Sequence, residues 1–255
     1  MPSPAPPIGL IEALDVNGGI VCAVGAGGKK TLLYRLAEAF PGRVAITNTV
    51  FAAPVPEAVG ATAVLAPSAQ LQARVREAGG NRLAYTLPDI KSGRHAGVPA
   101  ELVSAIHRSA NLDLTLVKAD GARMRWLKAP AENEPVLPPD TTQVLALLSA
   151  RALGEPLSAR VAHRVDAVAK ITGLTPGETV NPTAFARLFS SASGVAARTA
   201  GAPAMAIINM VDDANRLGLA EQAARAMLDQ TDRFDRVVLT RLNDRECPLV
   251  AVITR

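Results

Sequence analysis

Short apolar runs alternate with amphipathic segments along most of the chain. Residues 21–24 form a continuous apolar run, which is typical of a strand buried on both faces of a sheet. Farther along, apolar residues recur at the spacing of a helix, at Leu32, Leu33, Leu36, Ala37 and Phe40. Such patterns predict strands over residues 21–24, 43–47, 61–66, 82–87, 112–119, 142–150, 204–210, 236–240 and 249–254. They predict helices over residues 10–14, 30–40, 68–78, 99–110, 157–172, 182–190 and 216–230.

Strands and helices in alternation predict an α/β fold. Parallel strands need a crossover, which is usually helical, so this order favours a doubly wound, mainly parallel sheet with flanking helices. Residues 1–255 are predicted to form a single domain, with the proline-rich residues 1–8 as a flexible arm. Residues 128–141 contain four prolines and are predicted to be a structured loop.

Composition and charge narrow the range of partners. Apolar residues make up 49% of the chain and charged residues 20%, which is sufficient for a large buried core. The net charge is +4, and the basic residues are scattered along the chain. A nucleic-acid-binding surface usually needs clustered basic residues, so we expect no nucleic-acid partner. Cys22 and Cys247 form no zinc or disulfide pattern, which favours a reducing cytoplasm. We find no signal peptide and no apolar run of about 18 residues, so no membrane contact is expected.

Residues 24–32, VGAGGKKTL, join the first predicted strand to the first long predicted helix. Glycines at such a junction allow successive N–H groups to surround a phosphate, and a lysine at the helix start reaches the phosphate oxygens. The pattern predicts a nucleotide-binding phosphate loop and a P-loop NTPase-like fold. Its residues are Gly25, Ala26, Gly27, Gly28, Lys29, Lys30 and Thr31.

A second lysine in this loop departs from the usual order. In most such loops Ser or Thr follows the first lysine and ligates Mg²⁺, but Lys30 occupies that position here. Thr31 could bind the metal while Lys30 contacts the phosphates. Alternatively, Lys29 contacts the phosphates and the metal is held weakly or through water. A further interpretation is a glycine-rich turn that only joins a strand to a helix.

Polar residues also end two other predicted strands. Asp120 follows the strand over 112–119, where a carboxylate orients Mg²⁺ or its water in many nucleotide-binding proteins, and Arg123 is close behind. At the end of the second strand, Thr47, Asn48 and Thr49 could reach a metal or a γ-phosphate. An Asp-Gly turn would be an ordinary structural explanation for Asp120.

Asn209 and Asp212 follow the apolar residues of the strand over 204–210. At this place an Asn-Lys-x-Asp motif reads guanine in many GTP-binding proteins, with the Asp contacting the base and the Asn bracing the loop. Met210 replaces the lysine. A helix N-cap after a strand would explain the Asp equally well.

Together these stretches resemble the YqeC family. The segments VGAGGKKTLLYRLA, TNTV, KADGARMRWLKAPAENEPVLP and NMVDDA are similar to its motifs, and the resemblance covers roughly residues 9–253. It places the family's motif positions on Gly25, Gly27, Gly28, Lys29, Thr31, Thr47, Thr49, Asp120, Gly121, Arg123, Lys128, Pro130, Glu132, Glu134, Pro135, Asn209 and Asp212. The chain departs from the family pattern at Lys30, Asn48 and Met210. The resemblance implies an accessory role in the maturation of selenium-dependent molybdenum hydroxylases.

The signature over residues 118–138 supplies further catalytic candidates. Glu132 and Glu134 are two residues apart, so their carboxylates share one face if the segment is extended. Either could join Asp120 in a Mg²⁺ site or orient a water, and Arg123 could stabilise transition-state charge. The alternative is a solvated charged loop with internal ion pairs.

These observations predict a nucleotide-binding accessory protein, a Mg²⁺-dependent nucleoside triphosphatase that uses ATP or GTP. Its predicted catalytic residues are Lys29, Asp120, Arg123, Glu132 and Glu134, and its predicted metal ligands are Thr31, Thr47 and Asp120. Its partner would be a molybdenum hydroxylase or its cofactor-insertion machinery, and a homodimer is compatible with the sequence. The alternatives are a non-hydrolysing carrier of a phosphorylated molybdopterin-type cofactor and an interaction protein with a degenerate site.

Overall fold

The computed structural model describes residues 9–91 and 93–255. Its strands are β1 (Gly19–Gly25), β2 (Val44–Asn48), β3 (Thr62–Leu65), β4 (Arg82–Thr86), β5 (Asp89–Lys91), β6 (Arg94–His95), β7 (Leu114–Lys118), β8 (Leu127–Lys128), β9 (Thr141–Ser149), β10 (Ala162–His163), β11 (Ala204–Asn209), β12 (Arg236–Thr240) and β13 (Leu249–Thr254). Its α-helices are α1 (Leu10–Ala13), α2 (Lys29–Ala39), α3 (Ser68–Glu77), α4 (Ala100–Ser109), α5 (Val165–Thr172), α6 (Pro182–Ser190) and α7 (Ala214–Gln230). Short 3₁₀ helices cover Glu57–Val59 and Ala150–Ala152.

The largest sheet in the described part of the chain has nine strands. Their order is β13-β12-β11-β9-β1-β7-β2-β4-β3. All neighbours in it pair in parallel except β12 and β13, which are antiparallel. The predicted α/β class with a mainly parallel sheet is therefore confirmed. After β1 the chain builds one side of the sheet, from β2 to β7, and then crosses to β9 on the other side. Open α/β sheets bind ligands outside the carboxyl ends of their strands at such a reversal.

The central strands of the sheet are buried on both faces, which explains their continuous apolar runs. Successive residues of β1 alternate between two cores. Ile20 and Cys22 pack in the core that contains residues of α3, α4, α6 and α7. Val21 and Ala23 pack in the opposite core with residues of α1 and α2. The apolar side chains of α2 pack in this second core. Because α2 starts directly after the loop that follows β1, this packing holds the amino end of the helix against that loop.

One predicted helix is much shorter in the structure, and the prediction was wrong over its first half. The periodicity predicts a helix over residues 157–172, but α5 begins only at Val165. Arg164 has a φ of 64°, which is incompatible with an α-helix, and β10 immediately before it pairs in parallel with β8. The conformation of residues 157–164 is therefore decided by pairing with β8, which is distant in sequence. The local apolar periodicity gives no indication of this pairing.

The other predicted helices and strands are found within about two residues at each end, which is the usual uncertainty of helix and strand boundaries. The hairpin of β5 and β6 and the pair of β8 and β10 were not predicted. The predicted flexible arm over residues 1–8 lies outside the described residues. No helix in the described ranges has the length and apolar character needed to cross a bilayer.

Candidate functional site

The loop between β1 and α2 has the backbone conformation that its glycines permit. Gly25, Gly27 and Gly28 have φ values of 93°, 80° and 123°, in a region that L-residues rarely adopt. Gly28 is the N-cap of α2, and no side chain caps the helix there. The first N–H groups of a helix have no partner within the helix and carry partial positive charge. The amino end of α2 is therefore suited to an anion.

Lys29, the first residue of α2, is only 5% exposed. Its Nζ contacts the Gly25 carbonyl oxygen and lies 2.9 Å from Oδ1 of Asp120. Burial lowers the pKa of Lys29, and the charge of Asp120 opposes this shift. The lysine that the sequence assigns to phosphates thus folds back onto the loop and its neighbouring carboxylate.

Asp120 lies two residues beyond the end of β7 and connects the loop to that strand. Its Oδ2 accepts hydrogen bonds from the Gly25 N–H and from Lys128 Nζ, both at 2.8 Å. Its Oδ1 is buried and accepts no hydrogen bond of good geometry, although Lys29 Nζ lies within ion-pair distance. Among the described residues, Oδ1 of Asp120 is therefore paired with Lys29 alone, whereas Oδ2 has two hydrogen-bond donors.

Lys128 joins Asp120 to Glu134. Its ammonium is fully buried and donates to Oδ2 of Asp120, to the Gly121 carbonyl at 2.7 Å and to Oε2 of Glu134 at 2.7 Å. Arg164 donates to the same Glu134 oxygen at 2.9 Å. Burial acts to raise the pKa of Glu134, but the hydrogen bonds from Lys128 and Arg164 outweigh it and lower the pKa to about 2. Glu134 is thus ionised and held by two cations.

Glu132 and Arg123, the other two predicted catalytic residues, are exposed. The backbone carbonyl of Glu132 accepts a hydrogen bond from Arg198, which also donates to the carbonyls of Ala131 and Glu134. The structure therefore brings Lys29, Asp120 and Glu134 into one network and places Glu132 and Arg123 at the surface. A catalytic role for these two residues stays a prediction.

The predicted metal ligands lie in separate surroundings. The Thr47 hydroxyl is buried and donates to the Tyr85 carbonyl at 2.8 Å. Thr31 lines a cleft beside α2 together with Arg35 and Glu38. Asp120 alone of the three belongs to the network around Lys29. Within the described residues, no three His, Cys, Asp or Glu side chains are grouped so as to hold a metal.

Two further lysines lie beside this network and line a neighbouring cleft. Lys30 lines a cleft between α2 and the strands β2, β4 and β3, and Lys118 lines the same cleft. The Lys118 ammonium donates to the Asp120 carbonyl at 2.7 Å. Burial, followed by the nearby charge of Lys29, lowers the pKa of Lys118 to about 7. The cleft therefore adjoins the phosphate loop at its inner end.

Asn209 ends β11 and braces the loop from the other side. Its Nδ2 donates to the Gly27 carbonyl at 2.7 Å, and its Oδ1 accepts from the Thr240 hydroxyl at 3.0 Å and the Leu242 N–H at 3.1 Å. Asp212, the predicted base-reading residue, accepts hydrogen bonds from Arg151 Nε and Nη2 at 3.1 Å and 2.7 Å. An Asp212 role in base recognition stays a prediction.

Sequence reasoning missed three arginines that organise this region, Arg151, Arg164 and Arg198. Each is separated from its carboxylate or carbonyl partner by at least 30 residues. None belongs to a recognisable motif, so the sequence holds no local signal for these contacts.

The chain matches a known protein family. A family model described as "YqeC protein" matches residues 21–166, a range that contains the phosphate loop, Asp120 and Glu134. A curated relative from Escherichia coli (strain K12), named "Uncharacterized protein YqeC", is 32% identical over 168 residues. That alignment spans 63% of this chain and 63% of the relative, which is less than two thirds of either. No solved structure matches the chain significantly.

Proposed function

We propose that this chain, which belongs to the YqeC family, binds a nucleoside triphosphate on the loop over residues 25–31 and assists the maturation of a selenium-dependent molybdenum hydroxylase. One observation carries the proposal. The uncapped amino end of α2, Lys29 and Asp120 converge at the carboxyl ends of β1 and β7, where open α/β sheets bind ligands. The P-loop NTPase-like fold is part of this proposal.

Lys29 would exchange its partners when phosphate binds. Its ammonium now contacts the Gly25 carbonyl and Asp120, both of which are weaker partners than a polyanion. The β- and γ-phosphate oxygens would draw Lys29 away from that carbonyl, while the N–H groups at the start of α2 donate to the same phosphates. Asn209 would keep the loop in place through its bond to Gly27.

The residues around Asp120 fit a magnesium ion that is bound mainly by the nucleotide. Mg²⁺ usually takes one or two carboxylates together with phosphate oxygens and waters. Oδ1 of Asp120 is paired with Lys29 now, so it would become the protein ligand once the phosphates draw Lys29 away. When bound, Mg²⁺ would neutralise charge on the phosphate oxygens. Because Lys30 replaces the usual hydroxyl, we expect weak metal binding and slow hydrolysis.

A second candidate is a non-hydrolysing carrier of a phosphorylated, molybdopterin-type cofactor. Two observations favour it. Glu134, which hydrolysis would use to orient water, is already bound by Lys128 and Arg164. Lys30 takes the place of the metal-binding hydroxyl, which harms hydrolysis more than binding. A carrier would need the phosphate loop but no turnover.

Calorimetric titration with ATP and with GTP, each with and without Mg²⁺, tests nucleotide binding. Lys29→Ala should weaken binding at least about 100-fold, equivalent to about 2.7 kcal/mol, because the phosphates lose their charged partner. Lys170→Ala, which changes an exposed lysine on α5, should bind as the wild type does. Equal affinity of Lys29→Ala and the wild type would reject the proposal.

Phosphate release then separates the two candidates. Steady release in the presence of Mg²⁺ supports the triphosphatase, and tight binding of a pterin dinucleotide without turnover supports the carrier.

The accessory role has its own test, since cells that lack the protein should accumulate an inactive molybdenum hydroxylase.

A further inference from the structure

The cleft beside the phosphate loop has an apolar floor built from three strands. Ile46 on β2 pairs in register with Ala84 on β4, which pairs with Ala63 on β3. Paired residues of a parallel sheet place their side chains on the same face, so these three form one row. Two of the three are alanines, and their small side chains leave a hollow below α2. Leu33 and Tyr34 of α2, with residues 52–55, form the walls.

The inner end of this cleft carries two lysines, Lys30 and Lys118. Among the described residues, the Lys118 ammonium donates to the Asp120 backbone carbonyl, and the Lys30 ammonium donates to the Ala53 carbonyl at 3.5 Å. The neighbouring carboxylate, Asp120, is already shared by Lys29 and Lys128. Among the described residues, this end therefore has more lysines than carboxylates, and neither Lys30 nor Lys118 has an anionic partner of its own.

We propose that the cleft binds a second small molecule, an organic anion with an apolar body, whose anionic group lies between Lys30 and Lys118. The apolar row would bury the body, and each ammonium would gain a charge-assisted hydrogen bond. This site goes beyond nucleotide binding and does not depend on it. It also explains why a lysine stands where a metal-binding hydroxyl is expected, since Lys30 lines this cleft. The bound molecule would lie next to the phosphate loop, because Lys118 contacts the Asp120 backbone.

Two matched probes test the site by fluorescence titration without nucleotide. 1-Anilinonaphthalene-8-sulfonate has an apolar body and an anionic group, and N-phenyl-1-naphthylamine has the same body without the charge. We expect the wild type to bind the sulfonate at least about 10-fold more tightly, a difference of about 1.4 kcal/mol. Lys30→Met and Lys118→Met should each remove most of this preference and leave the affinity for the neutral probe within about twofold.

Blocking and control variants make the result specific to the cleft. Ala63→Phe fills the hollow from an exposed position on the edge strand β3, so it should weaken both probes about 10-fold without unfolding the protein. Lys170→Met, which removes an exposed charge on α5, should change neither. Equal affinity of the wild type for the two probes, or a sulfonate affinity unchanged by Lys30→Met, would overturn the proposal. Since Lys30 is only half-buried, its variant remains informative even if Lys118→Met fails to fold.

Because the titrations contain no nucleotide, they can fail independently of the proposed function. A wild type that binds ATP but shows no sulfonate preference would reject the second site alone. A wild type with the sulfonate preference but no nucleotide binding would reject the proposed function alone.

Discussion

Lys128 is the residue on which the buried charges of the site depend. Its ammonium is fully buried and contacts Asp120 and Glu134, which are themselves largely buried. A buried charge without a partner costs several kcal/mol, so removing one member of such a network destabilises the fold even when the others remain. The network holds the Asp120 carboxylate oriented towards the phosphate loop. It therefore links the stability of the site to its proposed chemistry.

Glu134 should make a measurable contribution to stability in acid. Its pKa falls from an ordinary 4.5 to about 2 in the folded protein. The folded state thus favours the ionised form, so this contribution is present above about pH 4.5 and is lost as pH falls towards about 2. Urea unfolding between about pH 5 and about pH 2 should show Glu134→Gln to be less stable than the wild type at the upper end and to lose less stability on acidification.

Glu132→Gln is the matched control, because Glu132 is exposed on the same loop and, within the described part of the chain, its hydrogen bonds involve only its backbone. It should follow the wild type across the series. If Glu134→Gln and the wild type lost stability in parallel, the ion pairs of Glu134 would contribute nothing to folding.

At the scale of the element, the junction of β1, its loop and α2 depends on glycine at specific positions. A Cβ at Gly27 would lie 2.6 Å from the Ser149 Cβ, and one at Gly25 would overlap the Leu147 carbonyl. The loop therefore packs directly on the end of β9. This close approach explains the positions of the glycines in backbone terms, independently of any ligand.

Gly25→Ala should destabilise the protein by about 3 kcal/mol, through both a strained φ and a backbone overlap. Gly218→Ala is the control. Gly218 lies in α7 with open space where a Cβ would project, so alanine should stabilise that helix by about 0.5–1 kcal/mol. Chemical denaturation of the wild type and the two variants measures both effects. A Gly25→Ala variant as stable as the wild type would contradict the packing of this loop.

At the scale of the whole molecule, the loop is held by the ends of four strands. Gly25 ends β1, Asp120 follows β7, and Asn209 ends β11, while Ser149 of β9 packs against Gly27. These strands belong to both halves of the sheet. A ligand on the loop would therefore stabilise contacts that join the two halves.

Nucleotide should consequently raise the thermal stability of the protein. A ligand at about 100 times its Kd adds about 2.7 kcal/mol to the free energy of unfolding, which corresponds to a rise in Tm of about 5–10 °C for a chain of this size. Differential scanning calorimetry over a series of nucleotide concentrations checks this. Lys29→Ala should show little or no rise, and a wild type whose Tm does not respond would argue against nucleotide binding.

The sequence by itself determined the α/β class, most helices and strands, and the strand-loop-helix junction at residues 24–32. These features depend on apolar periodicity and on glycine, which act over a few neighbouring residues. Asp120 and Asn209 could be predicted as site residues in the same way, because each lies at or just after the end of a strand that the apolar pattern predicts. The helix predicted over 157–172 failed where a distant strand, β8, competed for the segment.

Only the tertiary structure decided which charges meet. Lys128, Glu134 and Arg164 come together because β8 pairs with β10 and the loop between β8 and β9 folds back over Asp120. The order of the strands likewise places Lys118 beside Lys30 in one cleft. Contacts between residues far apart in sequence depend on the path of the chain through the sheet, and local composition does not encode that path.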